Sequence, residues 1–371
     1  MYSQETGSVS AAPEPTLMSV IRTAIAANHG WLPFDRYMAM ALYEPGLGYY
    51  ARGDRQFGAL PSSGSDFVTA PELTPLFGHA LARQVRQALA AGDLNDVWEF
   101  GAGSGAMAAS LLDALGERVT RYRIVEVSAA LRARQRERLA GHGARVEWLD
   151  RLPDAIEGVV VGNEVLDAMP VTLLHHDGQR WLERGVAIAG DGLAFADRPT
   201  RLAPPEVARY AAGATVEIHP QADAFVATLA ERMTRGAAFF IDYGFPEAEY
   251  YHPQRHAGTL MCHRAHRADT DPLADVGAKD ITAHVDFSAI ALAGQQAGFD
   301  VLGYTTQAHF LINCGLLDLA FDVREQAAAQ KLLGEHEMGE LFKVIGFAKN
   351  LPASFTTAPI GFAAGDRTHT L

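Results

Sequence analysis

Short apolar stretches alternate with longer segments of helical spacing from about residue 97 onward. In the longer segments apolar residues recur at roughly every third or fourth position, which is the period of an amphipathic helix. Such alternation is typical of a parallel sheet with helices on both faces, so we expect an α/β fold. The predicted strands cover residues 97–100, 122–127, 145–149, 158–162, 237–242, 300–306 and 341–348, and the predicted helices between them cover 106–115, 129–139, 222–234 and 284–297.

Other patterns occur before this region and within it. Helical spacing before it predicts helices over 17–27, 34–42 and 73–91, and a long, turn-rich stretch at 46–71 is typical of a functional lid. Short strands around glycine turns predict an antiparallel insertion after residue 171. We therefore divide the chain into a disordered tail (1–16), a helical N-terminal extension with a lid loop (17–92), the first part of the core (93–170), an inserted antiparallel segment (171–218), the second part of the core (219–350) with a long loop (243–280), and a C-terminal tail (351–371).

The composition narrows the class of protein. The 371 residues carry a formal charge of −13, and we find neither an apolar run long enough to cross a membrane nor an overall basic character that would suit a nucleic acid. Residues 1–16 resemble neither a signal peptide nor a transit peptide. Because the only cysteines are Cys262 and Cys314, a disulfide framework is not expected and we predict a cytoplasmic location.

The segment 252–266 contains four histidines and a cysteine, which invites a metal-site interpretation. Pro253 and Gly258 interrupt any helical pairing of these side chains, and no compact zinc-ligand spacing occurs. We therefore predict no metal site among His252, His256, Cys262, His263 and His266.

A glycine-rich turn directly follows the first strand of the alternating region. Its glycines, Gly101, Gly103 and Gly105, permit positive φ angles and a close approach that a side chain would block. Glu99 would repel a diphosphate but attract the cationic S-adenosylmethionine, so we expect a methyltransferase. The dinucleotide pattern is also satisfied when Ala106 is included, and a NAD(P)-dependent oxidoreductase therefore stays open.

Two carboxylates end the next two predicted strands. Glu126 is placed to accept hydrogen bonds from both ribose hydroxyls, which the two cofactors share. Asp150 could accept from the adenine amino group while Leu149 or Trp148 packs on the ring, since ligands of open parallel sheets lie at the carboxyl ends of strands. The segment after Asp150 also fits an ordinary turn.

Asn163, Glu164 and Asp167 follow the fourth predicted strand, at the rim where a transferred methyl group would lie. Methyl transfer is an in-line displacement, so the protein contributes positioning, desolvation and a proton acceptor. If the acceptor is a guanidinium nitrogen, Glu164 and Asp167 can hold it through bidentate bonds. The same two residues could instead cap the following helix.

Other polar residues are predicted near the same rim. Asp242 and Tyr243 end a later strand and are candidates for contact with the acceptor. His284 or Asp286 could supply a base, although Asp286 could equally cap a helix. The lid loop contributes five further candidates for contact with the acceptor: Asp66, Phe67, Thr69, Pro71 and Glu72.

These segments, in this order, resemble the MidA-like family, whose mitochondrial members are complex I assembly arginine methyltransferases. The resemblance covers about residues 17 to 348, with one departure at 261–264, where Met-Cys-His-Arg stands in place of the expected Arg-Gly-aromatic text. It rests on residues 37–38, 42–45, 48–50, 64–72, 99–105, 162–170, 242–244, 258–260, 284–287 and 339–344.

The resemblance implies a Rossmann-like class I methyltransferase core with a seven-stranded, mostly parallel sheet, a helical N-terminal extension and an inserted subdomain. It also implies S-adenosylmethionine as methyl donor and, in mitochondria, symmetric dimethylation of an arginine in a complex I subunit. The expected partner is then an arginine-bearing protein, with no nucleic acid and no membrane insertion. A non-catalytic assembly factor with a vestigial cofactor site stays open beside the oxidoreductase, and the acceptor and the oligomeric state are not predicted.

Overall fold

The structure is a computed structural model and describes residues 15–52, 68–205, 210–264, 267–319 and 322–371. The predictions for Asp66 and Phe67, and for most of the N-terminal tail, lie outside the described residues.

The described strands and helices are numbered in chain order. The strands are β1 (Leu32–Pro33), β2 (Asp96–Phe100), β3 (Arg121–Val125), β4 (Val146–Leu149), β5 (Ile156–Asn163), β6 (Thr172–His176), β7 (Trp181–Ala189), β8 (Gly192–Pro199), β9 (Thr215–Ile218), β10 (Met233–Phe245), β11 (Met261–Arg264), β12 (Arg267–Asp269), β13 (Asp280–Thr282), β14 (Val285–Asp286), β15 (Asp300–Thr306) and β16 (Phe342–Lys349). The helices are α1 (Leu17–Ala27), α2 (Phe34–Tyr43), α3 (Ala70–Leu73), α4 (Leu76–Ala91), α5 (Ala106–Leu115), α6 (Ala129–Arg138), α7 (Pro220–Arg232), α8 (Glu247–Tyr250), α9 (Phe287–Gln296), α10 (Gln307–Asn313), α11 (Val323–Leu333), α12 (Met338–Leu341) and α13 (Ala353–Thr356).

The core of the protein is a mostly parallel sheet with the strand order β15-β16-β10-β5-β2-β3-β4, and the two-residue strand β14 pairs with β10 outside this order. Strands β10, β5, β2, β3 and β4 pair in parallel, whereas β16 runs antiparallel to both of its neighbours. The central strands β2 and β5 are buried along almost their whole length, as apolar strands covered on both faces must be. This arrangement confirms the predicted α/β fold with a Rossmann-like, seven-stranded core.

Helices cover both faces of this sheet and form two separate apolar cores. On one face α4, α5 and α10 pack through residues such as Leu81, Leu111 and Phe310. On the other face α7 and α9 pack through residues such as Val226 and Ile290. The two layers hold the sheet rigid, so that its carboxyl edge can position polar side chains.

A second, antiparallel sheet lies beside the N-terminal helices. It has the order β1-β7-β6-β9, with β8 added to β7, and α1 and α2 share an apolar core with it. The N-terminal extension therefore also contributes one short strand, in which Leu32 pairs with Val186. A strand of two residues has no detectable period, which is why the sequence pattern did not predict it.

Two segments are more ordered than expected. The predicted loop 243–280 contains the end of β10, the short helix α8 and the sheet β12-β11-β13. The predicted tail after residue 351 contains α13 and the buried side chains of Phe355 and Phe362. Strands of three or four residues that pair with distant segments leave no local signal in the sequence.

Two predicted helices also have different boundaries. The helix predicted from His284 begins at Phe287, because Asp286 caps it. The helix predicted over 73–91 is divided into α3 and α4 around Thr74 and Pro75. No helix within the described ranges is both long and apolar enough to span a bilayer.

Candidate active site

A cavity of about 890 Å³ opens at the carboxyl ends of β2, β3, β5 and β10. In an open parallel sheet, this edge is where ligands bind. The lining falls into two halves, one around the glycine turn after β2 and one around the turn after β5. No lysine or arginine lines this cavity in the part of the chain that the structure describes, whereas several carboxylates do.

The glycine turn after β2 forms the floor of the first half. Gly101, Gly103 and Gly105 have φ angles of 64°, 52° and 84°, which are left-handed conformations that other residues rarely adopt. A β-carbon on Gly101 would lie 2.7 Å from Val165 Cγ2, so this glycine also lets the turn pack against the segment after β5. Helix α5 starts directly after Gly105, which is its N-cap residue.

Glu99 lies under this turn at the end of β2 and is 1% exposed. Its Oε2 accepts a hydrogen bond from the Tyr122 hydroxyl at 2.5 Å, while Oε1 has no partner among the described residues. Burial raises the pKa of Glu99 to about 8. A buried carboxylate oxygen without a donor fits a cationic or donor-bearing ligand.

Glu126, just after β3, is held in place at the edge of the same half. Its Oε1 accepts from the backbone N–H of Ser128 at 2.8 Å, and its Oε2 accepts from Gln135 Nε2 at 3.2 Å. Burial raises its pKa. A carboxylate has about four lone-pair sites, so both oxygens can still accept ribose hydroxyls. Together with the bare glycine backbone and Glu99, this fits the residues to S-adenosylmethionine.

The second half of the cavity is formed by the turn after β5. Asn163 and Glu164 are joined by a 3.0 Å hydrogen bond from Asn163 Nδ2 to Glu164 Oε1, and Glu164 has a φ angle of 53°. A positive φ in a residue other than glycine is uncommon and often marks a functional site. Asn163 Oδ1 and Asp167 Oδ1 are buried acceptors that lack a partner among the described residues.

Asp242 acts beneath this turn rather than in the cavity. Its Oδ2 accepts from the backbone N–H groups of Val165, Leu166 and Asp167 at 3.1, 2.9 and 3.3 Å, and Asp242 does not appear among the described lining residues. The prediction that Asp242 contacts the acceptor therefore needs correction. This carboxylate satisfies the turn's backbone donors and so fixes the position of Glu164.

Burial makes the carboxyl groups of this half unusually basic. The pKa of Glu164 rises to about 8, and the neighbouring charge of Asp167 adds to the effect of burial. The pKa of Asp167 rises to about 6, although the Tyr243 hydroxyl donates to its Oδ2 and opposes the rise. Both groups would be stabilised in their charged form by a cation in the cavity.

Tyr243 and His284 form one wall of the same half. Their rings meet edge to face with centroids 5.1 Å apart, and the ring of His284 also stacks on Phe245. Burial lowers the pKa of His284 to about 4, so the imidazole is neutral at pH 7. Its Nδ1 is buried without a partner in the described structure.

Some predicted site residues do not reach the cavity. Asp286 accepts from the backbone N–H groups of Ser288 and Ala289 at 3.1 and 3.2 Å, so it caps α9 and the alternative interpretation of this residue is the one observed. Asp150 is exposed at the end of β4 and does not belong to the described lining. The exposed strand end turns its carboxylate to solvent.

The described end of the lid does contribute to the cavity. Thr69, Pro71 and Glu72 line it, and the backbone N–H of Ala70 donates to Glu164. Glu72 also accepts from the Ser104 hydroxyl and from Arg138, so it joins α3 to the glycine turn.

Several residues that line the cavity are not among the site residues predicted from the sequence. Tyr43, Tyr50 and Asp280 belong to it, and they come from α2, the turn after α2 and β13. The Gly-Tyr-Tyr segment at 48–50 was part of the family resemblance, but no role was attached to it. Asp280 lay in a segment that was expected to be loop.

Comparison with known proteins agrees with this geometry. Residues 77–305 match a family model described as "Putative S-adenosyl-L-methionine-dependent methyltransferase". A crystal structure from Burkholderia thailandensis, described as that of a "likely methyl transferase" and bound to S-adenosyl-homocysteine, superimposes with a TM-score of 0.91 and 51% identity over 96% of both chains. S-adenosyl-homocysteine is the product that S-adenosylmethionine leaves after methyl transfer.

Curated relatives are more distant. The mitochondrial protein arginine methyltransferase NDUFAF7 of Danio rerio is 28% identical in an alignment 326 positions long that covers 77% of this chain and 74% of the relative. The homologue from Caenorhabditis elegans is 26% identical in an alignment 388 positions long that covers 91% of this chain and 88% of the relative. The chain therefore belongs to the MidA-like family of S-adenosylmethionine-dependent methyltransferases.

Proposed function

We propose that this methyltransferase transfers its methyl group to an arginine nitrogen of a protein. The observation that carries the proposal is the acidic second half of the cavity, where Glu164 and Asp167 lie beside the cofactor half and no described lysine or arginine neutralises them. A guanidinium is a planar cation with five N–H donors, and it matches carboxylates in bidentate geometry. The names of the curated relatives point to the same acceptor.

The two halves of the cavity would have separate tasks. Glu99, Glu126 and the glycine turn hold the cofactor, which when bound supplies an electrophilic methyl carbon on a sulfonium. Glu164 and Asp167 orient the guanidinium, so that the reacting nitrogen lies in line with the carbon–sulfur bond that breaks. As the nitrogen–carbon bond forms, that nitrogen must lose a proton.

We assign the proton acceptor to Glu164. Its pKa of about 8 is close to the pH at which an enzyme of this kind works, and the acid and base forms of a catalytic group are best balanced under that condition. Asn163 donates to one of its oxygens and would keep the carboxylate oriented. His284, neutral and with an unpartnered Nδ1, is a second group that could take up the proton.

The substitution Glu164→Gln tests the assignment. The amide keeps the size of the side chain but cannot accept the proton or pair with a cation, so transfer should fall at least about a hundredfold, the lower end of the usual contribution of a general base. The affinity for S-adenosyl-homocysteine, measured by calorimetry, should change less than about threefold.

Glu157→Gln provides a matched control, because Glu157 lies at the opposite end of β5 and pairs with Arg235 on the surface. The assay follows labelled methyl from the cofactor into a cell lysate, with hydrolysis of the labelled band to identify methylarginine. Equal transfer by wild type and Glu164→Gln would refute the role of Glu164. Binding of S-adenosyl-homocysteine without any label transfer by the wild type would favour a non-catalytic assembly factor.

The acceptor protein would be an arginine-bearing subunit of a respiratory complex I, by resemblance to the mitochondrial members of the family. Symmetric dimethylation belongs to the same proposal. Mass spectrometry of the labelled band identifies both the protein and the methylation state, and label on an unrelated protein would replace this acceptor without affecting the arginine chemistry.

A further inference from the structure

One cavity carboxylate has no task in the mechanism above. Asp280 is the first residue of β13, is 3% exposed and lines the cavity. Its strand pairs with β11, where His263 lies opposite Asp280. The segment after β13 is joined to the turn after β5, because the backbone N–H of Ala283 donates to the carbonyl of Asp167 at 3.0 Å. The small sheet β12-β11-β13 therefore brings Asp280 to the second half of the cavity, around the turn after β5.

An aromatic pair accompanies this carboxylate. The rings of Tyr43 and Tyr50 stack with centroids 5.6 Å apart and an interplanar angle of 19°, and both residues line the cavity. The Tyr50 hydroxyl donates to Asp280 Oδ1 at 2.9 Å, and the Tyr43 hydroxyl donates to the carbonyl of Ala168 at 2.8 Å. Both hydroxyls thus have partners. The tyrosine pair is bonded to Asp280 on one side and to the turn after β5 on the other.

The balance of donors and acceptors in this half calls for a ligand. Glu164, Asp167 and Asp280 are three carboxylates on one cavity, and Asp280 contributes to the raised pKa of Glu164. Asn163 Oδ1 and Asp167 Oδ1 are buried without a described donor, and both residues are less than a tenth exposed. Buried acceptors are rarely left unpaired in proteins, and a donor-bearing ligand in the cavity would satisfy these two.

We propose that Asp280, held by Tyr50, is a third binding residue for the acceptor guanidinium. Glu164 and Asp167 accept hydrogen bonds from the nitrogen that reacts and from one neighbouring nitrogen. Asp280 accepts hydrogen bonds from the N–H groups on the remaining edge of the guanidinium plane. Tyr43 and Tyr50 offer aromatic surface to a cation, an interaction that strengthens when water is excluded. The site thereby selects a planar, multi-donor cation over the compact ammonium of lysine. This inference rests on the proposed arginine acceptor.

The experiment compares Asp280→Asn, Tyr50→Phe and a control, Asp275→Asn. Asp275 pairs with Arg264 on the surface, and its φ angle of 51° is one that asparagine adopts readily, so the control makes the same chemical change without strain. Each variant is assayed for label transfer to methylarginine in dilute lysate and for binding of S-adenosyl-homocysteine by calorimetry.

We expect Asp280→Asn to lower transfer at least about tenfold, as the loss of one buried charged partner does, and Tyr50→Phe to lower it about threefold. The loss should shrink as the lysate is concentrated, because the change is in acceptor binding. Affinity for S-adenosyl-homocysteine should stay within about twofold of wild type in all three variants, and Asp275→Asn should transfer at the wild-type rate.

Transfer by Asp280→Asn at the wild-type rate would overturn the inference while leaving the arginine proposal intact. Label found by hydrolysis on lysine or another residue in the wild type would overturn the arginine proposal itself. If Asp280→Asn does not fold, Tyr50→Phe decides, because it removes a single hydroxyl that supports Asp280. An unchanged rate in that variant, at every lysate concentration, would then count against the inference.

Discussion

At the scale of single residues, the glycine turn makes the sharpest prediction. Gly103 has a φ angle of 52° and lies where the cofactor meets the backbone, so Gly103→Val introduces both strain and a branched side chain in the binding space. We expect the affinity for S-adenosyl-homocysteine to fall at least about a hundredfold by calorimetry, which corresponds to roughly 2.7 kcal/mol.

Gly190→Val separates the strain from the steric effect. Gly190 has a φ angle of 57° in the turn between β7 and β8, and a β-carbon there would meet no atom within 4 Å. This variant bears a comparable backbone cost but should bind S-adenosyl-homocysteine as wild type does. Affinity of Gly103→Val within tenfold of the control would show that the turn does not cradle the cofactor.

Residues are predictable from sequence when their chemistry is carried by neighbours in the chain. Glu99 lies near the end of β2 and Glu126 directly follows β3, both strands are predicted from the sequence, and the structure places both carboxylates on the cavity. Asp286 could not be resolved, because a helix cap and a catalytic base have the same local pattern. Asp280 was out of reach, since its position depends on the pairing of β13 with β11, about twenty residues away along the chain.

At the scale of elements, the parallel core was predictable and the small sheets were not. Strands such as β2 and β5 are buried on both faces, so each contains an apolar stretch that predicts a strand, and β2 is followed by the helical period of α5. Strands β11 to β13 contain polar residues and are short, and their hydrogen bonds join segments that the sequence does not mark. The position of the elements that complete the second half of the cavity thus depends on pairing between segments far apart in the chain.

The turn after β5 gives the prediction at this scale. Asp242→Ala would leave three backbone N–H groups, of Val165, Leu166 and Asp167, without their acceptor. A buried donor without a partner costs about 1–3 kcal/mol, so the free energy of unfolding should fall by about 3 kcal/mol or more in urea titrations. Transfer should fall as well, because Glu164 is part of the loosened turn.

Asp177→Ala is the comparison for this variant. Asp177 Oδ1 also accepts two backbone N–H groups, those of Gln179 and Arg180, but in an exposed turn where water can replace it. The loss of stability should be clearly smaller. Equal losses in the two variants would mean that burial of the turn after β5 does not matter.

At the scale of the whole molecule, an acidic protein contains a cavity whose carboxyl groups have raised pKa values. The chain has a formal charge of −13, and burial raises the pKa of Glu99 and Glu164 to about 8 and that of Asp167 to about 6. In the unfolded chain these groups titrate near pH 4. Free enzyme at neutral pH therefore holds protons that the unfolded chain has released.

This difference fixes how stability depends on pH. These carboxyl groups bind more protons in the folded state than in the unfolded state, and the lowered pKa of His284 opposes this only below about pH 6.5. The free energy of unfolding should therefore fall as the pH rises from about 6.5 to 8. We expect the Tm of the cofactor-free protein to drop by several degrees, roughly 2–4 °C per kcal/mol lost, between about pH 6.5 and 8.5. Thermal unfolding followed by circular dichroism at constant ionic strength measures it.

The double variant Glu99→Gln, Glu164→Gln removes two of the raised groups and should flatten this dependence, so that its Tm at pH 8.5 lies above that of the wild type. Saturating S-adenosylmethionine should have the same effect through its positive charge, since a cation in the cavity favours the ionised carboxylates and stabilises the folded state by mass action. A wild-type Tm that stays level or rises from about pH 6.5 to 8.5 would mean that these carboxyl groups are already ionised in the free enzyme. Their pKa values would then not be raised by burial.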